Sequence, residues 1–250
     1  MAFNSWRSFS DFASKTCHET RYIYTTETVQ FIDEVLLSSK SREKLLKKGS
    51  RLWRAQIGNE LETFYDEDGN EIGESEFPYQ QKRMYPLSCA AKEGRANPKG
   101  IPCLYLATDY NTAVSECRPW VGINLSVGEF ITTRDLKIID CSTQTEERQI
   151  YYDLDDGFYE PNERDREIAV WSDINHAFSI PVNNNDSQAS YAPTQIIAEA
   201  FKYHGYQGLT YKSSVGKGCN VVLFSNENAA ITKRYIFKLE DITFKFKQIK

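Results

Sequence analysis

The hydrophobic pattern of this chain has helical period near its start and strand period near its end. In TVQFIDEVLLSS, Val29, Ile32 and Leu36 share one face, the spacing of an amphipathic helix. SREKLLKK, running from a Ser41 cap to Gly49, predicts a second short helix, so residues 5–48 read as helical. The period then changes. In RLWRAQIG, Trp53, Ala55 and Ile57 point one way and Leu52 and Arg54 the other, as along a strand. Residues 59–93 are polar and rich in turns. Strands are expected near 103–107 and 136–140, then a helix near 163–176 with Ile168, Trp171 and Ile174 inward. A further helix, APTQIIAEAFKYHG, starts around Pro193 and ends at Gly205. GLTYKSS, CNVVLFS, RYIFKLE and ITFKFKQI predict the closing strands. In the last, Phe244 and Phe246 alternate with Lys245 and Lys247, the wet face of an edge strand.

No internal repeat and no long linker divides the 250 residues. The expectation is a single α+β domain over residues 49–250, preceded by an N-terminal helical extension at 1–48. Hydrophobic residues make up 40% of the chain, enough for a substantial core. Thirty Lys and Arg against 35 Asp and Glu give a net charge of -5, which argues against sequence-independent nucleic-acid binding. It leaves room for a local cationic cleft. Six cysteines without a C-x-x-C pair and three scattered histidines argue against zinc, so no metal is expected. DEDGNEIGE lacks the calcium-loop glycine: with Asp66 first, Glu71 stands at position six. MAFNSWRSFSDF has no apolar leader core, and no run nears about 18 apolar residues. A soluble, cytoplasmic protein with free thiols and no membrane contact is the expectation.

The chemistry concentrates in GRANPKGIPCLYLATDYNTAVSECRP, residues 94–119. In CLYLA, Cys103, Tyr105 and Ala107 share a face, and Tyr105 has small neighbours that leave room for a flat ligand. Thr108 or Asp109 can cap the following helix, whose apolar stripe is Tyr110, Ala113, Val114 and Cys117; Glu116 lies on its flank. If the helix folds back on the strand, a rise of ~1.5 Å per residue in one and ~3.3 Å in the other brings Tyr105 and Glu116 level. Arg95 and Lys99 stand in a Gly- and Pro-rich loop that precedes a strand, so anion recognition there rests on side chains. Walker A and G-x-G-x-x-G patterns are absent.

These stretches together resemble the RES family, named for its Arg, Glu and Ser. RLWRAQ is similar to the family's first-arginine strand. GRANPKGIPCLYLATDYNTAVSE resembles its G-R-x-N, L-Y-x-A and T-A-x-x-E series, and GYQGLTYKSSVGKGCNVVLF its G-(I/L)-x-Y-x-S block and following N-x-x-L-F strand. YAPTQIIAE and RPWVGINLSVGEF resemble the longer members. The likeness spans about residues 50–225; Lys212 departs from the Pro that many members place before the serine.

The resemblance implies a mixed, split β-sheet like that of ADP-ribosyltransferase toxins, with NAD as substrate and no metal. It implies a toxin restrained by an Xre-like antitoxin with a helix-turn-helix domain, which would carry any DNA contact; a homo-oligomer stays open. Carried over, the site residues are Arg54, Arg95, Tyr105, Glu116 and Ser213, with Ser214 and Asn220 as further binding candidates. In that reading Glu116 stabilises the oxocarbenium-like state of nicotinamide–ribose cleavage, and the arginines hold the diphosphate. Tyr105 orients nicotinamide, and Ser213 positions ribose or the carboxamide. Phosphorolysis or hydrolysis of NAD is the first expectation. Transfer of ADP-ribose to a protein, or a non-catalytic NAD-binding module, are the alternatives.

Overall fold

The computed structural model describes residues 3–87, 90–143, 161–180, 188–243 and 248. In chain order the elements are α1 (Ser8–His18), α2 (Thr26–Ser38), β1 (Glu43–Leu46), β2 (Arg51–Ile57), β3 (Glu60–Tyr65), β4 (Glu71–Phe77), β5 (Leu104–Ala107), α3 (Tyr110–Glu116), β6 (Asn124–Thr132) and β7 (Leu136–Asp140). They continue with α4 (Glu163–Ser179), α5 (Ala192–Tyr203), β8 (Gly208–Lys212), β9 (Cys219–Leu223) and β10 (Ala229–Lys238). Eight strands form one mixed sheet in the order β1-β7-β8-β9-β5-β2-β6-β10; β3 and β4 form a separate hairpin. The β7–β8 pair is parallel. This is the expected α+β architecture. No helix among the described residues is long and apolar enough to cross a membrane.

Two cores lie on the two faces of the sheet. On one, α1, α2, α4 and α5 bring Phe12, Phe31, Trp171, Ile174 and Phe201 against Ile139, Leu209 and Val222. Trp171 and Phe201 stack with rings 3° from parallel, and Phe12 stacks on Phe31 at 4.5 Å. On the other face Leu52, Leu104, Leu106, Phe130, Ile138 and Val221 pack with Tyr79 and Met84. Leu52 thus sits where strand alternation put it, opposite Trp53.

Three local expectations need correction. Residues 43–46 are not helical: β1 pairs antiparallel with β7, and the pairing is reinforced by ion pairs of Lys44 with Asp140 at 2.8 Å and Lys137 with Glu43 at 2.7 Å. Cross-strand partners override the helical preference of that stretch. In α2 the buried stripe is Phe31 and Val35; Ile32 and Leu36 flank it, while Val29 is exposed. The polar segment after β2 forms the exposed β3–β4 hairpin, in whose turn the Asp66 carboxylate accepts the Asp68 and Asn70 amides at 3.0 and 2.7 Å. That is an Asx turn closed by backbone donors. The edge strand expected at Phe244–Lys247 lies outside the described residues.

Because α1 and α2 share a core with α4 and α5, Phe31→Ala should destabilise the whole protein by about 3–5 kcal/mol, the usual cost of a large-to-small change in a packed aromatic. Urea unfolding followed by far-UV circular dichroism checks this. An unchanged midpoint would mean that the N-terminal helices are an independent appendage.

Candidate active site

The sheet is nearly divided between β2 and β5, which meet in the single register pair Trp53↔Ala107. Where they part, Arg54 reaches across and its Nη1 donates to the Tyr105 carbonyl at 3.1 Å. Its buried Nε has no hydrogen-bond partner. No carboxylate pairs with Arg54 among the described residues; Cys117 and Tyr105 are the titratable groups beside it. Burial pulls this guanidinium below its ordinary pKa, yet an arginine remains charged. A desolvated cation without a counter-ion is costly, and an anionic ligand would relieve that cost. Arg54 and Tyr105 stand on the wall of a cavity of about 730 Å³.

Glu116 is set by a chain of short hydrogen bonds. Asp109 caps α3: its Oδ1 accepts the Thr112 amide and its Oδ2 the Thr112 hydroxyl, both at 2.8 Å. Thr112 Oγ1 in turn accepts the Gly218 amide at 3.0 Å, and Thr108 Oγ1 the Cys219 amide at 3.0 Å. The start of α3 is therefore tied to the β8–β9 turn. Gly218 leaves room for this tie: a Cβ there would fall 2.0 Å from Asp109 Oδ2. The last residue of α3 then faces the same turn. Glu116 Oε1 accepts the Ser213 hydroxyl at 2.7 Å and Asn220 Nδ2 at 2.5 Å. Ser213 Oγ is held by the Gly216 amide at 2.9 Å. Glu116 Oε2 has no hydrogen-bond partner among the described residues. Of the serine doublet, Ser213 touches the carboxylate, while Ser214 is exposed.

Tyr105 is fixed by the GRANP loop rather than by Glu116. Its hydroxyl donates to Asn97 Oδ1 at 2.7 Å and accepts the Ala96 amide at 2.9 Å, and burial pushes the phenol well above its ordinary pKa. Gly94 allows this approach: a Cβ there would lie 2.5 Å from the phenol oxygen. Arg95 turns away from the cavity wall, its Nη1 donating to the carbonyls of Phe178 and Ser179 at the end of α4. Its charge acts on the buried Tyr211 phenol, whose pKa burial raises and Arg95 partly lowers. Lys99 is exposed.

Tyr211 was not among the residues singled out from the sequence. It pairs in register with Asn220, is buried, and feels the charges of both Arg95 and Glu116. Strand alternation carried the signal, since Tyr211 lies two residues before Ser213 on the same face. Structure thus brings Glu116, Ser213 and Asn220 into contact; Arg54 acts electrostatically on Cys117, the residue after Glu116, and Tyr211 acts on Tyr105. Cys117, which feels the charges of Arg54 and Glu116, has its thiol pushed up to about 11 by burial, which keeps it a poor nucleophile. No cluster of three or more metal-ligating side chains occurs among the described residues.

Fold and site define a single-domain α+β protein with a carboxylate–hydroxyl–amide constellation beside a cationic cavity at a parted sheet. The chain belongs to the RES domain family, whose model matches residues 72–246. Among solved structures it is similar to one described as the crystal structure of the M. tuberculosis MbcT-MbcA toxin-antitoxin complex, with 12% identity and a TM-score of 0.44, covering 83% of this chain and 94% of that one. No curated protein matches it.

Removing the α3 cap should loosen the whole constellation. Asp109→Ala is expected to cost about 0.5–2 kcal/mol of stability, the range for losing an N-cap. Thermal unfolding checks it; an unchanged transition would mean the Asp109–Thr112–Gly218 chain contributes nothing.

Proposed function

We propose that this protein is an NAD-consuming toxin that cleaves the nicotinamide–ribose bond. The observation that carries the reading is the Glu116 carboxylate, held at Oε1 by Ser213 and Asn220 with Oε2 left for a ligand, next in sequence to Cys117, on which Arg54 acts electrostatically. Family membership supports the same reading. In it, Arg54 takes the diphosphate through charge-assisted hydrogen bonds. Tyr105 presents its ring, the hydroxyl being already engaged by Ala96 and Asn97. Glu116 Oε2 grips a ribose hydroxyl and stabilises positive charge at the anomeric carbon.

The bond electrons leave with nicotinamide, a good leaving group. The ribosyl cation is captured by the oxygen of phosphate or water, giving an ADP-ribose phosphate or ADP-ribose; water's excess proton passes to solvent. No histidine is bonded to Glu116, Ser213 or Asn220 to serve as a base for water, which favours phosphate as acceptor. The buried Tyr211 phenol feels the Arg95 cation and the Glu116 carboxylate together. An enzyme that drains a central cofactor needs restraint, so the proposal includes an inhibitory partner, an Xre-like antitoxin with a helix-turn-helix domain.

Purified protein should consume NAD, and mass analysis of products with and without phosphate identifies the acceptor. Glu116→Ala should lower turnover by about 10²–10³ while keeping the fold. Near-normal turnover in a folded Glu116→Ala protein would end the assignment. If ADP-ribose appeared only on an added protein, the transferase alternative would replace free NAD breakdown.

Arg54→Ala should weaken NAD binding by about tenfold or more, on the scale of roughly 1.5–3 kcal/mol for a charged hydrogen bond, and Arg54→Lys should restore little of it. Steady-state KM and direct binding to the Glu116→Ala protein both report this. Growth arrest on expression, relieved by Glu116→Ala or by the partner, tests the toxin role; harmless accumulation of active protein would contradict it.

A further inference from the structure

Arg54 and Tyr105 stand on the wall of a cavity that Glu116, Ser213 and Asn220 do not line. Its volume of about 730 Å³ falls within the roughly 300–1,000 Å³ range of small-molecule sites. The far wall is largely apolar and comes from residues before the GRANP loop, chiefly Tyr85 and Leu87. Lys82 and Lys92 stand at its rim. The carboxylates on that wall are engaged: Glu60 Oε1 accepts the Gln80 amide at 3.2 Å, and Glu93 Oε1 accepts Gln195 Nε2 at 3.0 Å.

This wall is built in advance. The Tyr85 hydroxyl donates to the Ala229 carbonyl at 3.2 Å and accepts the Ile231 amide at 3.0 Å, and its ring stands edge-on to Phe130 at 5.3 Å. Gln56 Nε2 donates to the Arg83 carbonyl at 3.1 Å, joining β2 to the same wall. Buried Gln195 donates to the Gly94 and Asn97 carbonyls at 2.9 and 3.1 Å, fixing the opposite lip. A ligand entering here meets walls already ordered, so less is lost on binding.

We infer that this cavity is the subsite for an adenosine 5′-phosphate group, the half of the dinucleotide that does not react. The inference rests on the NAD reading and adds where the rest of the substrate lies. The base lies against Tyr85 and Leu87, the phosphate meets Arg54 at the inner end, and Lys82 and Lys92 draw the anion to the mouth. A substrate bound at both ends spans the parted strands, with its reactive ribose at Glu116. The adenosine contacts are the same in ground and transition states, so they act on binding rather than on turnover.

Three measurements test this. First, calorimetric titration of the Glu116→Ala protein with AMP should show saturable one-to-one binding. Second, Leu87→Glu, which places a negative charge at an exposed position of the wall, and separately the charge reversal Lys92→Glu, should each weaken AMP at least tenfold. Third, the wild type should act on both NAD and nicotinamide mononucleotide, which lacks the adenosine half, and each variant should lower the ratio of NAD to mononucleotide efficiency at least tenfold. A ratio unchanged in both variants, or AMP binding untouched by either, overturns the subsite while leaving NAD cleavage standing. Absence of NAD turnover in the wild type would instead remove the reaction, and the AMP titration would then decide the cavity on its own.

Discussion

The site depends on the place where the β2–β5 ladder stops. One register pair, Trp53↔Ala107, joins two half-sheets, and continuing that register would set Ala55 against Tyr105. The strands part instead, which would leave the Tyr105 carbonyl without its ladder donor. Arg54 supplies the missing donor from its side chain. A backbone acceptor is satisfied, and a guanidinium is carried into a position where its Nε is sealed from water without a partner. Cavity, cation and parted strands are therefore consequences of one interaction. Replacing Arg54 by a short apolar residue would both free a carbonyl and remove the charge, which is why its lysine variant is the more informative comparison.

On the other side of the parting, the β8–β9 turn depends on α3 for its shape. Asp109 caps a seven-residue helix whose first turn holds Thr112, and Thr112 Oγ1 accepts the Gly218 amide of the turn. A helix so short has little stability of its own; the tie to the turn and the packing on β2 hold it. Both ends of α3 then face one loop, the first through Thr112 and the last through Glu116. The carboxylate is positioned by hydrogen bonds from both strands of a hairpin, Ser213 after β8 and Asn220 in β9. Such a placement is rigid in the way an electrostatic stabiliser must be.

Much of this was legible from residue order. Alternation in RLWRAQIG put Arg54 and Leu52 on one side, Asp109 was one of two cap candidates beside Thr108, and Glu116 and Ser213 stood in the stretches that resemble the family's motifs. Other parts were not legible for physical reasons. β1 is charged at Glu43 and Lys44, and only the partners Lys137 and Asp140, over ninety residues away, make it a strand. In β6, Ser126, Gly128 and Glu129 interrupt the apolar run, yet all lie in a strand flanked on both sides. Ser126 donates to the Gly58 carbonyl at 2.7 Å, and Glu129 meets Arg51 at 3.5 Å. The destination of Arg95 was equally hidden, because the carbonyls it caps belong to a helix some eighty residues further on.

Net charge, too, conceals the site. Residues 60–77 hold eight of the 35 carboxylates and no lysine or arginine, which leaves 27 carboxylates against 30 bases on the rest of the chain. Most of the acid excess therefore stands on the exposed β3–β4 hairpin. Exposed charges are screened beyond about 8 Å at physiological salt, whereas a buried guanidinium is screened far less. The potential inside the cavity is thus set by the cations that line it, Arg54, Lys82, Arg83 and Lys92, and not by the total of -5. An acidic protein can hold a cationic cavity for the same reason that a parted sheet can hold a cation: the local environment is set by which groups the fold removes from water.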